Sequence, residues 1–301
     1  MSLFSVFLQV VAPVFTLVFI GYFAGPALKL DARTLSRTAY FIFVPALVFM
    51  IISRAELRAA LAARMFFYII LVHIICGLTA FGIARMLKCS VELTAAYVVI
   101  AVSGNVGNFG LPLIEFRFGE QALAQGTIYF LGVMLTSMMI SIIAASWARD
   151  GSRTRAIVSI FKTPALLAVV PALIVNIADL RVPLLFSRIA ELAGGAMVPS
   201  LLVTLGVRLA QEGKPVLNAH LLTASMLRLV AAPLIAFFLS VPLEITGLER
   251  AVGILQSGMP VAILASIIAL EYELMPEFVT SSVLLTSLAG MGTLTIVLSL
   301  V

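Results

Sequence analysis

Charge is scarce in this sequence: only 11% of its 301 residues are Asp, Glu, Lys or Arg, while 62% are hydrophobic. A soluble domain carries roughly a quarter charged residues, so a water-exposed globule is excluded. Cysteine and histidine are rarer still, at two each. Cys76 lies within an apolar run and Cys89 at the end of one, which leaves neither a disulfide framework nor the ligand spacing of a metal site. There is no GxxxxGK[ST] loop to cradle a nucleotide, no HExxH or GxSxG, and no carboxylate pair within an apolar run. An ATP-driven pump and a membrane hydrolase are thereby excluded, and the expectation is a non-enzymatic protein with no cofactor and no metal. The net charge of +5 is not gathered on a basic helix or an aromatic-interleaved patch, so nucleic acid is not an expected partner.

What is present is apolar length. Mean hydropathy is +1.18, and a window of ~19 residues finds roughly ten spanning segments. They fall near residues 3–24, 35–53, 64–86, 93–118, 121–147, 164–180, 185–209, 217–240, 249–271 and 278–300. The fold class expected is thus an all-α integral membrane protein. The start, MSLFSVFLQVV, has no positive region and no small-residue cleavage site, and reads as the first spanning helix rather than a signal peptide. The longest polar connection, Arg149 to Thr163, falls at the midpoint. It divides the chain into a first five-helix repeat (1–148), a central loop (149–163) and a second repeat (164–301).

The proline spacing supports that division. Pro13 and Pro171, Pro45 and Pro199, and Pro112 and Pro260 form pairs separated by roughly 150–160 residues, as a repeat requires. His73 lies about 28 residues after Pro45 and Arg228 about 29 after Pro199, so two ionisable residues share a repeat position. Because five is odd, the second copy enters the membrane from the opposite side, and the repeats are inverted. With the N-terminus outside, connections on the inner side hold about 11 Lys and Arg against about 7 on the outer. Both termini are accordingly expected in the periplasm of a bacterial inner membrane, with the central basic loop in the cytoplasm and Trp147 at the cytoplasmic interface.

Two segments, one in each half, should not continue as helices. In the first, Gly104, Asn105, Gly107, Asn108, Gly110 and Pro112 put three glycines at three-residue spacing before a proline; in the second, Gln256, Ser257, Gly258 and Pro260 form a shorter break. Unwound backbone inside hydrocarbon survives only where protein or a polar cavity satisfies it. Matched breaks in two halves are the sequence mark of a secondary transporter's binding site. The second half of the first helix is expected to begin at about Pro112, with free N–H groups and a positive dipole end aimed into the gap, a natural anion site. Asn105 and Asn108 add neutral donors and acceptors. Small-residue helix packing is the competing reading of the glycines.

Among deeper polar residues, Arg228 either attracts an anion or pairs with carbonyls freed by the breaks. His73 is a candidate proton site or a neutral hydrogen-bonded histidine. Gln125 and Tyr129 are four apart and share a helix face that lines a cavity or meets neighbouring helices. Glu115, three residues past Pro112, is placed to neutralise Arg117 or the new helix start.

SGNVGNFGLPL, followed by Gly119 and a long fifth helix, resembles the auxin efflux carrier family, which includes plant auxin exporters and bacterial carriers of malonate and related acids. LQSGMPVAILASIIALEYE with the later TSSVLLTSL is similar to that family's ninth and tenth helices. The resemblance implies a five-plus-five inverted fold of the bile-acid/sodium symporter type. Broken helices 4 and 9 cross at mid-membrane, with Asn105, Asn108, Pro112 and Pro260 at the crossing. It further implies a scaffold of helices 1, 2, 6 and 7 that also forms a homodimer surface, and a moving unit of helices 3–5 and 8–10 in an elevator mechanism. The central loop is short, which removes regulation through a long phosphorylated loop, and the paired membrane aspartates of sodium/proton antiporters are absent. The function expected is secondary transport of a small organic anion, a mono- or dicarboxylate such as malonate or an auxin-like acid, by alternating access. H+ or Na+ is the candidate coupling ion and membrane lipid the surroundings. The alternatives are a cation/proton antiporter and a non-transporting membrane sensor.

The charge asymmetry generates a topological test. With Cys76 and Cys89 replaced, a cysteine introduced at Ser152 is expected to resist an impermeant thiol reagent in intact cells and to react after permeabilisation. Labelling of intact cells would invert the orientation.

Overall fold

A computed structural model describes residues 3–54, 59–148, 164–211 and 217–301. The central loop expected at 149–163, with Ser152, lies outside the described residues, as do Arg58 and Lys214. Among the described residues, seven helices are long and apolar enough to cross a membrane: α1 (Phe4–Ala27), α2 (Ala32–Arg54), α3 (Ala59–Met86, apolar from Ala62), α6 (Leu123–Ala148), α8 (Leu184–Gln211), α9 (Ala219–Ser240) and α12 (Pro276–Leu300). Between them lie shorter pieces: α4 (Val91–Val102), α5 (Leu111–Phe118), α7 (Pro164–Ile177), α10 (Gly247–Ser257) and α11 (Ile263–Glu271). The windows expected at 93–118 and 249–271 thus each hold two short helices in place of one. Among the described residues there is no β-strand, only a single antiparallel bridge between Gly104 and Val261.

The apolar side chains are distributed as a membrane demands. Phe23 on α1 is 71% exposed, Leu192 on α8 79% and Leu300 on α12 80%. Surface of this kind is stable against acyl chains and not against water, and helices tolerate it because they satisfy their own backbone groups. Polar termini are capped where chains turn. The Asp31 carboxylate accepts from the Thr34 N–H at 2.8 Å at the start of α2, and with the Thr34 hydroxyl this holds its pKa below the usual value. Ser90 and Asn218 cap α4 and α9 by accepting from Leu93 N–H and Leu221 N–H.

Prolines leave a regular signature. Wide π-helical turns at Phe7–Val11, Ala39–Phe43, Val106–Gly110 and Leu227–Ala231 each end two residues before a proline, namely Pro13, Pro45, Pro112 and Pro233. In each, the residue just before the proline donates its N–H five residues back instead of four: Ala12 to Phe7, Val44 to Ala39, Leu111 to Val106, Ala232 to Leu227. A proline ring collides with the carbonyl four residues earlier, and widening the preceding turn relieves the clash without ending the helix. Pro171 and Pro199, the spaced partners of Pro13 and Pro45, carry no such turn. The two halves therefore differ in local helix geometry where their proline spacing agrees.

Packing separates the helices into two groups. In one, α1 lies along α8, and α2 against α7 and α8. In the other, α3, α4 and α6 pack mutually, α9 packs on α10, and α11 on α12. Small residues bring α1 and α8 into backbone contact: a Cβ on Gly206 would stand 1.9 Å from the Val18 carbonyl oxygen, and one on Gly21 2.1 Å from that of Val203. Gly206→Ala is expected to lower stability by about 1–3 kcal/mol through overpacking. Gly82→Ala, where a Cβ meets nothing within 4 Å, is expected to leave it unchanged or raised. Thermal unfolding of the two purified variants in one detergent tests this.

Candidate functional site: the crossing of two broken helices

The two breaks meet. Asn105 N–H donates to the Pro260 carbonyl at 2.8 Å and Ala262 N–H to the Ser103 carbonyl at 2.8 Å, so residues 103–105 and 260–262 pair as a minimal antiparallel ladder. Val261 N–H donates to the Thr286 hydroxyl of α12 at 3.0 Å. Backbone groups that a continuous helix would satisfy internally are thus satisfied by the opposite break and by a neighbouring helix, as burial in hydrocarbon requires.

Arg228 completes the arrangement. It lies in the π turn of α9, 2% exposed. Its Nε donates to the Met259 carbonyl at 2.8 Å, Nη1 to the Ala101 carbonyl at 2.8 Å and Nη2 to the Gln256 carbonyl at 3.4 Å. Ala101 lies in the last turn of α4 and Gln256 in the last turn of α10, so the guanidinium stands where two helix C-termini, the negative ends of their dipoles, converge. Of the two readings open from sequence, pairing with freed carbonyls is the one the geometry displays. Arg228 does not line the cavity described below.

The glycines serve proximity. Gly104 and Gly110 are not among the positive-φ residues; among the described residues the glycines that are, Gly119 and Gly247, lie outside the crossing. A Cβ on Gly104 would lie 2.1 Å from Arg228 Nη2, and one on Gly110 1.9 Å from Gln256 Oε1. These glycines thus serve close approach and not the backbone freedom that glycine offers. The expected restart of the helix at Pro112 is corrected: winding resumes at Val106, and Pro112 is the second residue of α5. Asn108 therefore sits inside the π turn rather than ahead of the helix.

A cavity of about 420 Å³ opens beside the crossing. One wall is Ser103, Gly104, Asn105, Val106, Gly107 and Asn108 with Ala262, Ile263 and Leu264, the starts of both second half-helices. The opposite wall comes from the other packing group: Arg37, Tyr40 and Val44 of α2 and Met197, Leu201 and Arg208 of α8. Phe130, Val133, Met134, Ser137 and Met138 of α6 close the side. Early N–H groups of a helix have no intrahelical acceptor. In the first break the earliest internal bond is Phe109 N–H to the Asn105 carbonyl, which leaves the Val106, Gly107 and Asn108 N–H groups at the cavity wall. Asn105 is 5% exposed and its Nδ2 has no partner among the described residues.

The remaining sequence candidates lie elsewhere. Tyr129 and Ser257 share a hydroxyl–hydroxyl bond at 2.5 Å, and Ser257 also donates to the Gly253 carbonyl. His73 holds Ile69 O at 2.8 Å through Nδ1, with its ring 6.5 Å from that of Tyr129. Gln256 is fully buried against Gly110, and neither side-chain atom has a partner among the described residues. Gln125 Oε1 is likewise buried without one. These residues, with Gly110, Pro112, Gly258 and Pro260, do not line the cavity. Sequence reading did not find Thr286, whose hydroxyl is one of many on an apolar helix, nor Gly290, where a Cβ would come 2.9 Å from Pro260. Arg37 and Arg208, two of the roughly 11 inner-side basic residues that enter the charge count only for orientation, both line the cavity.

A multi-pass helical chain with an unwound crossing in its interior has the architecture of a membrane transporter. Sequence comparison carries this to a family. The profile described as "Membrane transport protein" matches residues 6–150 and 150–298, and the chain belongs to that family, the auxin efflux carriers whose motifs it resembles. It is 24% identical over 289 residues to an uncharacterized transporter of Methanocaldococcus jannaschii, covering 93% of this chain and 94% of that one. It is 28% identical over 298 residues to an uncharacterized transporter of Methanothermobacter thermautotrophicus, covering 95% of each.

Arg228→Leu removes the donors of the Ala101 and Met259 carbonyls and is expected to cost at least about 2–3 kcal/mol, with Arg228→Lys intermediate. Thermal unfolding without substrate reads this. Equal stability of wild type and Arg228→Leu would remove the arginine from the architecture.

Proposed function

We propose that the protein is a secondary transporter of an organic anion, held in the cavity beside the crossing. The observation that carries this reading is the chemistry of the wall. Two half-helix N-termini, Asn105 and Asn108 face a space whose lining, among the described residues, includes Arg37 and Arg208 and no Asp or Glu. Helix N-termini favour negative charge by about 0.3–1 kcal/mol each, more when partly buried. The carboxylate meets the Val106–Asn108 N–H groups and the two asparagine side chains, while Arg228 acts at one remove by holding the wall together. A cation/proton antiporter would need a carboxylate here; Glu115, the nearest sequence candidate, is not in the lining.

Substrate class follows from the rest of the lining. Phe130, Val133, Met134, Met138, Met197, Leu201, Leu264 and Ile267 are apolar, and methionine adapts to irregular shapes. That favours a monocarboxylate with an apolar body over malonate. The cavity lies between the two packing groups, at the end bearing Arg37 and Arg208, which the charge count assigns to the cytoplasm. On that assignment the conformation is inward-facing. A ten-span, inverted-repeat arrangement fits the helix order, and alternating access is a displacement of the crossing group along α1, α2, α7 and α8 as one body, with Gln256, Tyr129 and Ser257 on its closed side.

Asn105→Ala and Asn108→Ala are each expected to weaken transport or binding at least about tenfold, as loss of a hydrogen bond to a charged group implies. Their unfolding temperatures should stay near wild type. Uptake into proteoliposomes of labelled aromatic and branched-chain monocarboxylates and of malonate, with and without proton and sodium gradients, tests this. Wild-type flux in both variants would dismiss the site, and faster flux of malonate would overturn the apolar-body reading.

A further inference from the structure

A second cavity, of about 750 Å³, lies in the other half of the crossing group, between α9, α10 and α12. Its lining is apolar, with Leu234, Phe238 and Ile296 at the outer face, and among the described residues it holds one cationic side chain, Arg250, and no Asp or Glu. Those three side chains are 50%, 66% and 53% exposed, so the space opens to the hydrocarbon around the protein rather than to the substrate cavity.

Arg250 is in the first turn of α10, beside the polar connection that carries Glu244, and so stands at the level of a membrane interface. Its guanidinium lies 4.6 Å from the centroid of the Phe237 ring, which fixes it over the cavity. Its Nε is buried without a partner among the described residues. An interfacial cation above an apolar slot open to lipid matches one occupant in both charge and shape. We propose that this cavity is a binding site for an anionic phospholipid, the phosphate on Arg250 and an acyl chain along α9 and α12.

The site is joined to the crossing. Leu229 and Val230 on its wall belong to the same π turn as Arg228, and Ile254 is two residues before Gln256, whose carbonyl Arg228 holds. A lipid seated here braces the elements that carry the crossing, independently of what the substrate is.

The test is lipid retention by the whole purified chain. Protein in detergent is incubated with equal amounts of phosphatidylglycerol and phosphatidylcholine of the same acyl chains, and bound copies are counted by native mass spectrometry. Wild type is expected to favour the anionic lipid about fivefold, the worth of one basic residue near a membrane surface. Arg250→Gln should lose the preference, Arg250→Lys should keep most of it, and Ala251→Phe, which fills the slot, should reduce retention of both lipids. Arg181→Gln, an exposed arginine away from the cavity, should change nothing. Equal retention of the two lipids by wild type overturns the proposal, as does persistence of the preference in Arg250→Gln or undiminished retention in Ala251→Phe. Exclusion of lipid by a second copy of the chain, seen as dimers without bound lipid, overturns it as well. The readout contains no substrate, so it stands or falls apart from the transport reading.

Discussion

A carbonyl oxygen in hydrocarbon must find a donor, and this structure is organised around that requirement at one place. Breaking two helices in the interior frees backbone groups at a cost of several kcal/mol each if left unpaired. The pairing of residues 103–105 with 260–262 satisfies some, Thr286 another, and Arg228 gathers carbonyls from the ends of both first halves. A buried arginine is itself expensive, but here its partners are the negative ends of two helix dipoles. The two costs offset each other, and the unwound backbone becomes a rigid object rather than a defect.

That rigidity gives the cavity its character. Asn105, on its wall, is fixed by backbone bonds on both sides, through its N–H to Pro260 and its carbonyl to Phe109. Its amide nitrogen has no partner among the described residues. The opposite wall comes from helices that pack among themselves, so the cavity spans a seam between two internally well-packed groups. The bonds of the crossing lie within one group, whereas the cavity is bounded by both.

Much of the helical layout was legible because apolar length is a direct consequence of bilayer thickness. Breaks at Gly104–Pro112 and Gln256–Pro260 were legible because glycine and proline act through local sterics. What lay beyond sequence was anything set by contact between distant segments. Gly104 and Gly110 look like residues of unusual backbone angle, yet they answer to Arg228 and Gln256, more than a hundred positions away. Tyr129 and Gln256 share periodicity and polarity with residues that line cavities, but they sit behind the crossing because helix rotation is decided by packing. Arg37 and Arg208 have no local signal that separates a cavity wall from a topological anchor.

The wide turns have a consequence for how this chain tolerates changes of length. Each holds one residue more than an α-helical path between the same points needs, and successive residues of an α-helix are separated by about 100° of rotation. Removing Val230 from Leu227–Ala231 would close the turn to a regular helix and leave both flanks of α9 facing their present neighbours, while restoring the clash of Pro233 with the carbonyl four residues before it. The same deletion within the regular stretch Leu123–Ala148 would swing everything on one side of it by about 100° against everything on the other. Beside each of these four prolines the chain thus carries a residue that the helix register does not need and the proline ring does.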